Sequence, residues 1–208
     1  MANWNGTGIR WTDETFNPVH GCSKISEGCR LCYAERDSRR WNHTDHPWTV
    51  AHAAENVQVK PYKLSEVDAL PSPRWVFVNS MADLFHELVP PSFVGDVLGK
   101  CAEQPRSAFQ ILTKHGPDTG RDPPTMPRNV MLGVSVEAPR RTDRIDWLRD
   151  QEAHTKFVSF EPLVECIPEV DLSGIDWAII GGESGGIPPD DFDQDDDVEV
   201  DLRRGKID

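Results

Sequence analysis

The sequence predicts an α/β fold whose mainly parallel strands form a partial barrel or an open sheet. Three observations carry this. Five short apolar runs, WVFVNS at 75–80, AFQILT at 108–113, VMLGVSV at 130–136, KFVSFEP at 156–162 and WAIIGG at 177–182, each read as a strand buried on both faces. Helical patterns alternate with them, and strands alternating with helices imply a parallel sheet with right-handed crossovers. Polar residues gather where the runs stop, as they do around a site at a barrel mouth.

In chain order, residues 1–35 open as a Trp-rich strand or loop and then reach a cluster of cysteines. Residues 30–41, RLCYAERDSRRW, hold no Gly or Pro and read as a helix with a charged outer face. The polar segment 42–73, with three His, reads as an excursion from the core. After the first long strand, Ser92 is placed to cap a helix whose Phe93, Val97, Leu98 and Cys101 share one face. A further helix over 139–151 turns Ile145 and Leu148 inward. Two crossovers are thin: 116–128 carries four Pro and holds no ordinary helix, and 163–174 is short and broken by Pro. No strand is expected after residue 182, so a closed eight-stranded barrel is not. The reading is one domain over 1–186 and an acidic, disordered tail over 187–208.

The 208 residues suffice for one compact domain. No apolar run approaches the roughly 20 residues of a membrane helix, and the first residues lack a basic stretch followed by an apolar one. The expectation is a cytoplasmic protein with no membrane partner. The formal charge of −13 opposes nucleic acid. However, the acids are 21 Asp against 14 Glu and the bases 15 Arg against 7 Lys. An Asp-heavy, Lys-poor surface fits a halophilic source, where charge is strongly screened.

Three of the five cysteines, Cys22, Cys29 and Cys32, fall on one loop, HGCSKISEGCRLCYAE. Three thiolates on a tight loop leading into a helix suit a soft metal or a cluster. Zinc in a closed structural site takes four protein ligands, and His20, His43 or His46 would have to supply the last. Three Cys alone leave a position open, which in a [4Fe–4S] cluster is an iron free to bind a cofactor or substrate. Unrelated buried thiols are the third reading. Cys101, on an apolar helix face, and Cys166, in a Pro-flanked loop, read as packing.

The other candidate residues lie at strand ends. SMADLFHELVP at 80–90 places Asp83, His86 and Glu87 where α/β folds bind ligands, or else starts a capped helix with a solvated face. In WAIIGGESGG, Gly181 and Gly182 give backbone access to an anion, and Glu183 is placed to accept a hydrogen bond from an amine. Glu161 ends another strand, and Ser135 and Glu137 complete the pattern. Around 36–48, RDSRRWNHTDHPW offers Trp and Arg that would stack on bases if exposed. Packing of the two Trp for stability is the simpler reading.

IRWTDETFNPVHGCSKISEGCRLCYAE, SMADLFHE, ILTK, VMLGVSVE, FVSFEPL and DWAIIGGESG occur in that order over about residues 9–186. Together they resemble the phage-derived three-Cys-motif proteins, a family of largely unknown function that is similar to radical S-adenosylmethionine (SAM) enzymes. The resemblance implies a partial (β/α) barrel of the radical SAM type, with about six mainly parallel strands. It implies that Cys22, Cys29 and Cys32 hold a [4Fe–4S] cluster whose open iron binds S-adenosyl-L-methionine. One electron from a reductant protein would then cleave SAM to methionine and a 5′-deoxyadenosyl radical, which abstracts hydrogen from a substrate. Asp83, Glu161, Gly181, Gly182 and Glu183 would contact SAM or a substrate, with nucleic acid or a modified nucleotide as the substrate class.

Two departures bear on this. The spacing Cys22-x6-Cys29-x2-Cys32 is wider than the commonest C-x3-C-x2-C of those enzymes. The acidic tail also stands where family members carry an Arg-Pro stretch, a helix and a last strand. The resemblance therefore implies a shortened C-terminal part whose edge is left open or covered by a partner protein. The competing expectation is a zinc- or cluster-stabilised phage accessory protein, or a truncated enzyme remnant.

Overall fold

The computed structural model describes residues 7–182 and 198–200. Six strands run parallel in one sheet: β1 (Glu14–Phe16), β4 (Trp75–Val78), β5 (Ala108–Thr113), β6 (Val130–Ser135), β7 (Thr155–Phe160) and β8 (Trp177–Ile180). A short antiparallel pair, β2 (Val19–His20) and β3 (Gln58–Val59), stands apart from it. The helices are α1 (Tyr33–Arg40), α2 (Ala53–Asn56), α3 (Pro91–Ala102), α4 (His115–Thr119) and α5 (Asp143–Asp150). The order β1-β4-β5-β6-β7-β8 follows the chain, each strand lying beside the one before it. A sheet wound in one direction with crossovers of one hand keeps its connections on one face.

The alternation of side chains sorts the core into two layers. Val76, Val78, Phe109, Ile111, Leu132 and Val158 face α3 and α5 in the larger apolar cluster. Phe77, Met131, Phe157, Trp177 and Ile179 face the other way and are covered by Trp11 of the N-terminal segment. Trp11 sits 4.6 Å from the Phe77 ring and 6.0 Å from Trp177. Its carbonyl accepts a hydrogen bond from Gln110 Nε2 at 2.9 Å, which gives the amide of this buried side chain a partner inside the sheet.

The central strands match the sequence reading because they are buried on both faces; all six residues of β6 are buried. Four expectations need correction. Ser92 does not cap α3: the helix starts at Pro91, whose fixed φ and missing N–H suit the first helical position, and Ser92 lies inside its first turn. Residues 115–119 do form a short helix, α4, ended by Gly120 in a left-handed conformation (φ 66°) before the Pro-rich stretch. The 42–73 segment is not wholly outside the core, since Trp48 and Val67 are buried and the 3-10 helix Pro61–Ala69 packs on α3. A strand does follow β8. It is β9 (Val198–Val200), antiparallel to β8 with Ile179 opposite Glu199. The rest of the acidic tail, 187–197 and 201–208, lies outside the described residues.

Because Trp11 covers the inner face of the sheet, Trp11→Ala should lower unfolding stability by about 3–5 kcal/mol. Urea denaturation measures this, and a loss below about 1 kcal/mol would mean that the inner layer does not depend on Trp11.

Candidate metal and cofactor site

The Cys loop begins at Gly21, whose φ of 79° turns the chain out of β2. A Cβ there would lie 2.0 Å from the Asn56 carbonyl oxygen, so only glycine fits. Cys22 follows. The 3-10 turn Glu27–Cys29 carries the second cysteine, and Cys32 stands at the start of α1, where Arg36 N–H donates to its carbonyl. All three thiols are half-buried and free of disulfides.

The loop is seated on the C-terminal ends of three strands. Tyr33, next to Cys32, donates its hydroxyl to Ser80 O at 2.7 Å beyond β4. His115, just beyond β5, places Nε2 3.3 Å from Cys22 Sγ and 3.0 Å from Ser23 O. Gly28 passes so close to Glu137, beyond β6, that a Cβ would meet its Cγ at 3.0 Å. Glu27 pairs with Arg140 at 2.7 Å and Arg141 at 3.1 Å on the segment after β6.

Two polar centres hold these strand ends. Asp83 accepts hydrogen bonds from Thr113 Oγ1 (2.8 Å) and from the backbone N–H of Phe85 (2.9 Å), Lys114 (2.8 Å) and His115 (3.1 Å). Burial would raise its pKa, but His115 and these donors outweigh burial and hold the carboxyl below its ordinary range. The second centre is Arg144, whose guanidinium is fully buried. It donates to Glu137 (2.7 Å), Ser135 O (2.7 Å) and both oxygens of Asp118 (2.7 and 2.9 Å). Burial opposes its charge, and the two carboxylates restore it.

Burial pushes the Cys22 thiol well up, and Asp83, Cys29 and Cys32 add to that. Burial also raises Cys32, partly offset by the Glu35 amide, Lys114 and the Ala34 amide; the two amides belong to the start of α1. Without a cation Cys22 and Cys32 therefore remain thiols, and a bound metal would supply the charge that makes them thiolates.

Among the described residues, Cys22, His86 and His115 bring ligand atoms within 4.8 Å of one another, whereas Cys22, Cys29 and Cys32 do not. The first trio does not suit a single ion. His86 Nδ1 accepts the Leu88 N–H at 3.1 Å, so its proton sits on Nε2 and points to Ser23 Oγ at 2.9 Å, leaving no lone pair for a metal. Cys22 and His115 alone fall short of the four ligands of a closed zinc site. Thiols held apart instead suit a cluster, where each binds its own iron.

The other residues singled out in the sequence divide. His20 lies against His43, with ring centroids 4.8 Å apart, and His46 stacks on His52. The histidine beside Cys22 is instead His115. Asp83 has its oxygens engaged by the protein itself, which makes it a positioning residue. Glu161 sits at the end of β7, where Ser159 Oγ donates to it at 3.0 Å. Gly181 uses its N–H on Phe160 O and its carbonyl on Leu163 N–H, so its backbone is committed within the fold. Gly182 is exposed, and Glu183 lies outside the described residues. The 80–90 segment forms turns rather than a helix start. Trp48 packs, but Trp41 is 63% exposed with the Arg40 guanidinium 5.3 Å from its ring.

His115 and Arg144 were the omissions. His115 follows ILTK at a strand end, the position that singled out Asp83, so its signal was present. Arg144 shares a helix face with Leu148, and a reading of apolar periodicity passes over it.

This geometry defines an α/β protein with a parallel sheet wound in chain order and a three-Cys loop seated on its strand ends. Residues 6–189 match the family DUF5131, described as a protein of unknown function, and the chain belongs to that family. No curated protein and no solved structure matches it.

His20 and His86 are buried, and burial first among the causes lowers each from 6.5 to about 4. Between those values the unfolded chain binds protons that the fold excludes. Stability of the metal-free protein should therefore fall as pH drops from 6.5 to about 4, by up to about 1.4 kcal/mol per pH unit for each imidazole. Asp83, held below its ordinary 3.8, loses its contribution only at still lower pH. Urea denaturation at several pH values tests this, and a flat profile from pH 7 to 4.5 would contradict it.

Proposed function

We propose that this protein is an iron–sulfur enzyme of the radical SAM type, with Cys22, Cys29 and Cys32 holding a [4Fe–4S] cluster. The observation that carries the reading is the seat of the three-thiol loop on the C-terminal edge of a parallel sheet. The remaining two cysteines lie elsewhere, Cys101 on the buried face of α3 and Cys166 exposed on the 163–174 segment. Three thiolates leave one iron open to a ligand. A sheet wound in chain order is also the order expected of a partial (β/α) barrel.

When bound, the cluster with SAM would supply one-electron chemistry at the open position, with a reductant protein as the electron source. The chain's own groups prepare that position. His115 directs its Nε2–H at Cys22 Sγ and Ser23 O, which stabilises sulfur charge. Tyr33, whose phenol burial, Cys32 and Glu161 keep protonated, closes one side of the loop. In this reading Glu161 makes a polar contact to SAM or substrate, Gly182 offers backbone access, and Glu183 accepts a hydrogen bond from the SAM amine. Asp83 serves by holding Lys114 and His115 in place.

The substrate class we assign is nucleic acid or a modified nucleotide. Its support is Trp41, exposed beside Arg40 as a stacking surface; the −13 charge opposes it unless salt screens it. A phage origin belongs to the same reading; because β9 already pairs with β8, a partner protein would meet this end of the sheet at β9. A non-catalytic zinc protein is the alternative, favoured by the approach of His115 to Cys22.

Anaerobic reconstitution with iron and sulfide, followed by electron paramagnetic resonance of the reduced protein, separates the two. The expected result is a cubane-type signal that changes on adding SAM and disappears in Cys22→Ser. Zinc bound through Cys22 with no cluster signal and no response to SAM would overturn the enzyme.

A further inference from the structure

His46, His52 and Glu55 lie outside the Cys site and share no residue with it. Their ligand atoms fall within 4.8 Å of one another. His52 Nδ1 is 2.6 Å and His46 Nε2 3.7 Å from the same atom, Glu55 Oε2. The two imidazoles are stacked, with centroids 4.8 Å apart and planes 12° from parallel. A His–Glu pair three residues apart on a helical turn is ordinary and worth little. The ring of His46 is not explained by that pairing. It reaches the same carboxylate oxygen from the far side of the Pro47–Trp48 turn.

The segment carrying these groups is held rigidly although its tips are exposed. Trp48 is buried, donates Nε1–H to Thr44 Oγ1 at 3.0 Å, and donates its backbone N–H to Glu35 Oε1 at 2.8 Å. Its carbonyl accepts Lys24 N–H from the Cys loop at 3.1 Å. On the other side of the site, buried Asn56 donates Nδ2–H to Pro47 O at 3.0 Å. Holding three ligands in place before binding lowers the ordering cost that a mobile surface trio would meet.

We propose that His46, His52 and Glu55 form a binding site for a single divalent transition-metal ion of the zinc class, which ties the His46 side of the Pro47–Trp48 turn to the helical turn carrying His52 and Glu55. Two imidazole nitrogens and a carboxylate oxygen are a donor set that zinc takes, with water completing the shell. The ion binds His46 through Nε2 and His52 through Nδ1, with the His52 proton moving to Nε2. Hard cations such as Mg²⁺ and Ca²⁺ are not expected, because they prefer all-oxygen shells.

The test compares the full chain with the His46→Ala/His52→Ala double variant and with His52→Ala alone. Both substituted side chains reach solvent, and circular dichroism of the metal-free proteins checks that folding is unchanged. Zinc is titrated against a chromophoric chelator, and Co²⁺ loading gives the ligand type. The wild-type chain should bind one more zinc than either variant. Its Co²⁺ form should show the weak visible bands of a nitrogen–oxygen site, and the variants should lose them with no change in the thiolate-to-metal region of the spectrum. Zinc should also raise the melting temperature of wild type more than that of the variants. Equal zinc stoichiometry in wild type and double variant would overturn the proposal. That result would leave the cluster reading untouched, because the paramagnetic signal of the iron- and sulfide-reconstituted protein reports on it separately.

Discussion

One carboxylate sets the geometry on which the candidate site depends. Asp83 leaves the end of β4 and gathers the Thr113 hydroxyl and the amides of Phe85, Lys114 and His115. Hydrogen bonds to a charged group are worth about 1.5–3 kcal/mol each when buried, so this cluster locks two strand ends together. The consequence for chemistry is indirect. By holding the His115 backbone, Asp83 fixes where the imidazole lies against Cys22 and Ser23. Asn79 assists from the same turn: its backbone takes φ 63°, its N–H donates to Phe16 O at 2.8 Å, and its side chain accepts Val19 N–H at 3.1 Å. Asparagine tolerates this left-handed conformation better than most residues. The end of β4 is thereby tied to β1 on one side and β5 on the other.

Arg144 does for β6 what Asp83 does for β4 and β5. A fully buried guanidinium is costly to desolvate, and its attraction for partners need not exceed that cost. Here Asp118 and Glu137 both meet it, and through Glu137 the network touches Gly28 of the Cys loop. Such a network gives the loop a defined seat more than it adds stability. Glu137 keeps one buried oxygen, Oε1, without a hydrogen-bond partner, and Ser135 Oγ next to it is likewise unpartnered.

How much of this could be read from the sequence depended on how local each feature was. The bounds of β5 at 108–113 followed from a short apolar run, because a strand buried on both faces shows no other pattern. The inward residues of α3 and α5 followed from helical periodicity. The start of α3 did not, because Ser92 and Pro91 both mark helix starts and the choice depends on backbone geometry. The strand β9 was missed because three residues, Val-Glu-Val, in an acidic run carry too little pattern. Asp83 was legible as a strand-end acid, but its role was not, since its partners at 113–115 lie thirty residues away. The histidine beside Cys22 has no mark near the cysteines in sequence, because the fold brings in His115 from the turn just beyond β5.

The central claim is that the strand-end ledge organised by Asp83 holds the three-Cys loop in place before any cofactor binds. Amide hydrogen exchange in the metal-free protein, wild type against Asp83→Asn, addresses it most directly. The account predicts slow exchange at Lys114, His115 and residues 22–29 in wild type. In the variant these should quicken together while β7 stays protected. If the substitution speeds exchange at Lys114 and His115 but leaves the Cys loop unchanged, the ledge does not hold the loop and the account is contradicted.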